Sequence, residues 1–251
     1  MTASPPVRPR WVDDLAGVVT GMGDRGPGPY TPPVGHSRRS AVLMVFGSLP
    51  EPAAPEQGRS PAGGGSTMGV GVPRAGAPPV DVLLTERAPT LREHAGQVSF
   101  PGGRIDPTDS GPAGAALREA QEETGLDPDG VEVIAELPDL FLPVSDFAVT
   151  PVLAWWRRPS PVFPVDAGEV THVARVPVAE LVDPRNRFTA VHPRGFAGPG
   201  FGASGLFIWG FTAGLLDLVL TLAGWAGPWD SSLVRDVPVP SGPAPDGRTV
   251  K

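Results

Sequence analysis

Apolar residues fall in short continuous blocks separated by polar, Gly- and Pro-rich stretches, and the blocks mark out the predicted elements. Residues 41–46 (AVLMVF) form an unbroken apolar run of strand length, and residues 80–85 (VDVLLT) form another. Further strands are predicted over residues 131–137, 148–155 and 170–176. A helix is predicted over residues 112–124, with Ser110 as its N-cap and Gly125 as its C-terminal glycine. Residues 206–225 (LFIWGFTAGLLDLVLTLAGW) predict a second, strongly apolar helix. Residues 1–22 read as a helical or extended lead-in with Trp11, Val12, Leu15 and Val18 as its apolar positions. Residues 86–111 and 193–204 read as loops. Strands interleaved with two substantial helices give an α/β layered class. One domain is expected over residues 36–235, after a lead-in and loop over residues 1–35. A flexible Pro/Gly-rich insertion over residues 48–79 interrupts it, and a disordered tail over residues 236–251 follows.

Composition changes this picture in three places. Hydrophobic residues are 40% of the chain, enough for an ordinary core, while the 33 glycines and 34 prolines cluster in the loops. The net charge of −7, with no basic stripe, argues against nucleic acid as a partner; a local arginine cluster or a metal still admits one anionic nucleotide. The absence of cysteine excludes disulfides, a thiolate nucleophile and Cys-based zinc sites, and fits a reducing, cytoplasmic setting. No apolar signal segment opens the chain. Residues 206–225 are long enough to span a bilayer, but Asp217 sits in their middle, glycines recur and no Lys or Arg flanks them closely. A core helix, and no stable membrane insertion, is the expectation.

The chemistry concentrates in Arg118-Glu119-Ala120-Gln121-Glu122-Glu123-Thr124-Gly125-Leu126. Glu119, Glu122 and Glu123 stand at i, i+3 and i+4 and project from one side of the helix. Such a run is usually a solvated acidic face. Packed together, however, three carboxylates repel one another unless a positive charge sits among them, and Mg²⁺ or Mn²⁺ suits this oxygen cluster. Arg118, four residues before Glu122, can neutralise and orient it. Upstream, Gly102 and Gly103 let the backbone pass close to a ligand or to the helix.

These residues resemble the Nudix box: a glycine, five residues, an acid, then Arg-Glu-apolar-x-Glu-Glu-x-Gly-apolar. Gly103 is followed by five residues and Asp109, with eight residues to Arg118 where the usual box has seven. The preceding Leu83-Leu84-Thr85-Glu86-Arg87 and Leu91-Arg92-Glu93-His94-Ala95-Gly96-Gln97-Val98-Ser99-Phe100-Pro101-Gly102-Gly103 are similar to the run that marks the coenzyme A pyrophosphatase subgroup. That subgroup shares the aspartate and the longer spacing. Trp209-Gly210-Phe211-Thr212-Ala213-Gly214 is similar to its closing helix, so the resemblance covers roughly residues 36–225.

The resemblance implies a Nudix-type α/β/α sandwich with a mixed β-sheet and a loop–helix–loop box. It implies metal-dependent hydrolysis of the diphosphate of coenzyme A or its derivatives to 3′,5′-ADP and (acyl-)4′-phosphopantetheine. Glu119, Glu122 and Glu123 would hold Mg²⁺ or Mn²⁺, and Arg118 would orient them. Arg87, Arg92, Gly102 and Gly103 would serve the substrate. His94 and Gln97 have two readings each, a substrate contact or a loop-holding bond to the protein. Glu169 would either reach the metal site from outside the box or be a surface acid in a turn. Other nucleoside diphosphate conjugates, such as ADP-ribose or NADH, and a non-catalytic binding module are the alternatives, and a homodimer stays open.

Overall fold

The computed structural model describes residues 7–22, 38–48, 79–91, 93–143 and 146–238. Most of the expected insertion and tail, and Arg92, therefore lie outside the described residues.

Helix α1 (Arg10–Met22) turns the lead-in into an amphipathic packing element, burying Val12, Leu15 and Val19. Val18, expected inside, is 41% exposed, because the buried stripe passes through Val19 instead. The main sheet then builds from β1 (Arg39–Ser48), β2 (Val80–Arg87), the short β3 (Val98–Ser99) and β4 (Gly102–Arg104). Helix α2 (Pro112–Thr124) follows, then β5 (Val131–Glu136), β6 (Leu140–Leu142), β7 (Phe147–Trp156) and β8 (Val170–Pro177). Its order is β3-β2-β1-β7-β5, with β4 added to β1, β6 to β7 and β8 to β2. The β1–β7 pair is parallel and its other pairs are antiparallel, so the sheet is mixed as expected.

The central strands are apolar on both sides because both sides are covered. Ala41, Leu43, Val45, Leu83, Val152, Ala154 and Trp156 meet Ala115, Ala116 and Ala120 of α2. Met44, Phe46, Val82, Leu84 and Leu153 face the other way, toward Leu15 of α1 and the apolar C-terminal helix. Helices therefore flank the sheet on both faces, the α/β layered class.

Beyond β8 come the one-turn α3 (Val178–Leu181) and a second sheet. It comprises β9 (Arg187–Val191), β10 (Ala197–Ala203) and β11 (Leu206–Ile208), followed by helix α4 (Gly210–Leu222) and β12 (Val234–Asp236). Its order is β11-β10-β9-β12. Three expectations are corrected here. Residues 197–203, read as loop, are strand β10, paired on both sides by backbone hydrogen bonds. Their glycines make the chain thin enough to fit: a Cβ at Gly200 would overlap the Phe188 ring. The apolar run 206–225 is a strand followed by a 13-residue helix, broken at Gly210, whose φ is +66°. Among the described residues no helix is long and apolar enough to cross a membrane. Asp217, the charge inside that run, pairs with Arg187, whose side chain is 1% exposed and lies over the rings of Phe201 and Trp229. Finally, Asp236 belongs to a strand and Val237 is buried, so ordered chain runs past the expected boundary at residue 235.

At the far end of β2, Asp81 is buried opposite Gly47, with Arg175 Nη2 at 2.8 Å. Burial pushes its carboxyl up to about 6 against the pull of Arg175. A carboxyl raised in the fold favours folding when protonated, so this contribution is complete below about 3.8 and is lost as pH rises through about 6. Melting temperatures measured across that window should therefore fall less steeply with pH in Asp81→Asn than in the parent protein. Identical slopes would remove Asp81 as the cause.

Candidate active site

Helix α2 spans the residues expected of it, but it begins differently. Gly111 is the N-cap and offers no side chain, Pro112 opens the first turn, and Glu136 Oε1 of β5 accepts from the Ala113 N–H at 3.1 Å. Ser110 is therefore not the cap. The other end is as expected: Gly125 adopts φ +69° and its N–H bonds the Gln121 carbonyl. The chain then crosses this end of the helix again, as the N–H groups of Phe163 and Val165 bond the carbonyls of Thr124 and Glu123. That crossing satisfies orphan carbonyls of the last turn and delivers the chain to Glu169.

Strand β4 sets the helix against the sheet. Gly102 and Gly103 pair with Val42 and Ala41, and the Gly103 Cα lies directly beneath the Glu119 carboxylate. Glu123 is 8% exposed, and its Oε2 accepts the Gly102 N–H at 3.1 Å. Burial drives its carboxyl up to about 7; the Gly102 N–H and the Arg87 charge oppose this, and the charges of Glu119 and Glu169 add to it. Glu119 is raised too, first by burial. Glu169 thus acts on the buried carboxylate through space, and its carbonyl is tied to the Ala88 N–H at 2.8 Å, next to Arg87.

Arg118 is the hub of the outer half. Its Nε and Nη2 donate to both oxygens of Asp109 at 3.0 Å, Nη1 donates to Glu119 and Glu122 at 3.0 Å each, and Nη2 also reaches the Arg104 carbonyl. The bond from Arg118 holds the Asp109 carboxyl below its usual range, and Arg118 itself is held more firmly protonated by Asp109. The aspartate in the box is therefore an anchor for the arginine. Spacing alone gave no sign of this, since it says nothing of which way a guanidinium turns.

The remaining expected residues divide. Arg87 lies within electrostatic reach of Glu123, and its Nε is buried without a hydrogen-bond partner among the described residues. His94 and Gln97 bond each other, Nδ1 to Oε1 at 2.9 Å, and the Gln97 N–H bonds the His94 carbonyl. His94 also takes φ +57°, so this pair closes a turn, which favours the loop-holding reading.

Among the described residues no three acidic or histidine side chains converge as a ready-made metal cage. Arg118 holds Glu119 and Glu122 through one nitrogen, in a place a cation would contest. The donor chemistry nevertheless fits a hard divalent ion. Glu123 is a buried carboxyl pushed up to about 7, first by burial and then by the charges of Glu119 and Glu169, so a cation brought to it would favour its ionised form.

A family profile described as NUDIX domain matches residues 67–196. Proteins described as "Uncharacterized Nudix hydrolase NudL" from Cronobacter sakazakii and Klebsiella pneumoniae are each 40% identical over 152 residues. In both cases 58% of this chain and 76% of the relative are covered. The protein of the same description from Citrobacter koseri is 39% identical over 142 residues, covering 54% and 71%.

Proposed function

The chain belongs to the Nudix hydrolase family, which acts on phosphorus-containing anhydrides of nucleoside diphosphate derivatives, and from that premise we propose that its substrate is coenzyme A or a derivative. The reaction is hydrolysis of the diphosphate to 3′,5′-ADP and (acyl-)4′-phosphopantetheine. One observation carries the catalytic part of this reading: a buried carboxylate, Glu123, is set among Glu119, Glu169 and Arg87 at a backbone N–H.

Glu119, Glu122 and Glu123 would hold a divalent cation, Mg²⁺ or Mn²⁺, which supplies a water of lowered pKa and charge relief on the diphosphate. Around that site the chain's own groups have separate tasks. The Gly102 N–H fixes one oxygen of Glu123, so that the carboxylate points one way. Asp109 anchors Arg118, and Arg118 orients Glu119 and Glu122. Arg87 supplies positive charge beside Glu123, suited to a substrate phosphate. Glu169, whose loop is tied by backbone bonds to the end of the helix, would accept a proton. Arg92 remains a candidate phosphate ligand.

The subgroup assignment rests on the run from Leu83 to Gly103. Product analysis tests it. Incubation with coenzyme A and Mg²⁺ or Mn²⁺ should give 3′,5′-ADP in step with substrate loss. Brisk cleavage of ADP-ribose with coenzyme A left intact would overturn the substrate while keeping the reaction class.

A further inference from the structure

The segment that carries Glu169 is shaped by a side chain that is neither a metal-ligand nor a phosphate-binding candidate. Val165, whose N–H bonds the Glu123 carbonyl at 3.2 Å, and the buried Val170 bracket residues 166–169, all four of them exposed. With little packing to fix these four, their arrangement depends on hydrogen bonds. Three successive N–H groups turn back onto Asp166. Gly168 donates to its carboxylate Oδ1 at 2.7 Å, and Glu169 and Val170 donate to its carbonyl at 3.1 and 2.9 Å. The carboxylate bond closes an Asx turn, in which a short acidic side chain bonds the backbone two residues on. Gly168 fits closely against it, since a Cβ there would stand 3.1 Å from that same oxygen.

Both ends of this turn are fastened to residues of the site. Upstream the fastening is the backbone of Glu123. Downstream the Glu169 carbonyl accepts the Ala88 N–H at 2.8 Å, and Val170 pairs with Arg87. That pairing depends on a bulge: Glu86 pairs with His172, so Thr171 is skipped, and its hydroxyl donates to the Glu86 carbonyl at 3.3 Å. The chain therefore passes from the backbone of Glu123 to the neighbour of Arg87 through the turn at Asp166. Without the Oδ1 bond the Gly168 N–H would lose the partner it has. A glycine released in this way samples many backbone conformations, and the adjacent Glu169 would move with it.

We propose that Asp166 is a positioning residue: its carboxylate, through the Gly168 N–H, holds Glu169 where it takes up a proton during hydrolysis. The proposal rests on the reading of Glu169 as proton acceptor and is independent of which nucleotide is the substrate. Turnover of coenzyme A with Mg²⁺, or of ADP-ribose if coenzyme A is left intact, is measured for Asp166→Ala, Asp166→Asn, Glu169→Gln and the double variant Asp166→Ala/Glu169→Gln. Asp166→Ala should lower kcat about tenfold with KM within about twofold of the parent, because Asp166 reaches the transition state only through Glu169. Asp166→Asn keeps the acceptor oxygen without the charge and should restore most of kcat. The double variant should be no slower than Glu169→Gln alone, as expected of two residues acting as one unit. The substituted side chains are exposed, so melting temperatures should stay at the parent value. The Gly168 amide should lose hydrogen-exchange protection in Asp166→Ala and keep it in Asp166→Asn. An Asp166→Asn as slow as Asp166→Ala overturns the proposal, since the charge itself would then be what acts. A fully active Asp166→Ala beside an impaired Glu169→Gln overturns it too, and leaves Glu169 as the acceptor. A fully active Glu169→Gln discards both.

Discussion

Glu123→Gln should lower turnover by about two to three orders of magnitude, the scale seen when one preorganised electrostatic group is removed from an active site, and should leave the protein folded. The exchange keeps size and shape, and the amide oxygen can still accept the Gly102 N–H now bonded at 3.1 Å. What disappears is a negative charge that is 8% exposed and lies near two other carboxylates. Stability should move the other way. The Glu123 carboxyl sits near 7 in the fold against an ordinary 4.5 because burial opposes its charge, so its favourable contribution is complete below about 4.5 and is lost as pH rises through about 7. In chelator at pH 8 the variant should therefore melt at or above the parent temperature. Loss of activity together with equal or greater thermal stability marks a residue kept for its chemistry. Full turnover in the variant would remove Glu123 from the catalytic set; collapse of the fold would show that its carboxylate is a structural requirement.

That pairing of opposite effects was partly readable before the fold was. The spacing of Glu119, Glu122 and Glu123 places three acids on one stretch of helix, and the strand-length apolar runs at residues 41–46 and 80–85 announce strands. Neither pattern ranks the acids. Burial does, because Glu123 turns under β4 toward Gly102 while Glu122 stays 58% exposed in its side chain. The second sheet was hidden for a different reason. Residues 197–203 carry three glycines and a proline, which give no alternating pattern, and the strand exists because β9 and β11 offer backbone partners on its two sides. Asp217 shows the same limit in reverse. Within an apolar run it is a puzzle in sequence terms, and its answer, Arg187, lies 30 residues away on β9. Pairings across elements, whether Arg118 to Asp109 or Glu136 to the start of α2, belong to the three-dimensional arrangement and have no local signature.

The adjacent glycines of β4 should fail in two distinct ways when each gains a single methyl group. At Gly102 a Cβ would overlap the Ala41 carbonyl oxygen and stand 2.7 Å from the Val42 Cα. Both obstacles are backbone of the central strand β1, which cannot step aside without opening the β1–β4 pairing. Gly102→Ala should therefore destabilise the fold by about 1–3 kcal/mol, the usual penalty for overpacking. In a chain of this size the melting temperature should drop by roughly 5 °C. At Gly103 the nearest obstacle is the Glu119 carboxylate, the far end of a side chain that can swing away. Gly103→Ala should keep a melting temperature close to the parent's and lose turnover by about a hundredfold, as expected when a reacting group is moved by about an ångström. Thermal melts and steady-state turnover on the two purified variants distinguish these outcomes. A fully active Gly103→Ala would mean that the place of Glu119 above the strand does not matter for catalysis, and the division of labour between a glycine that admits the sheet and a glycine that admits the acid would fall with it.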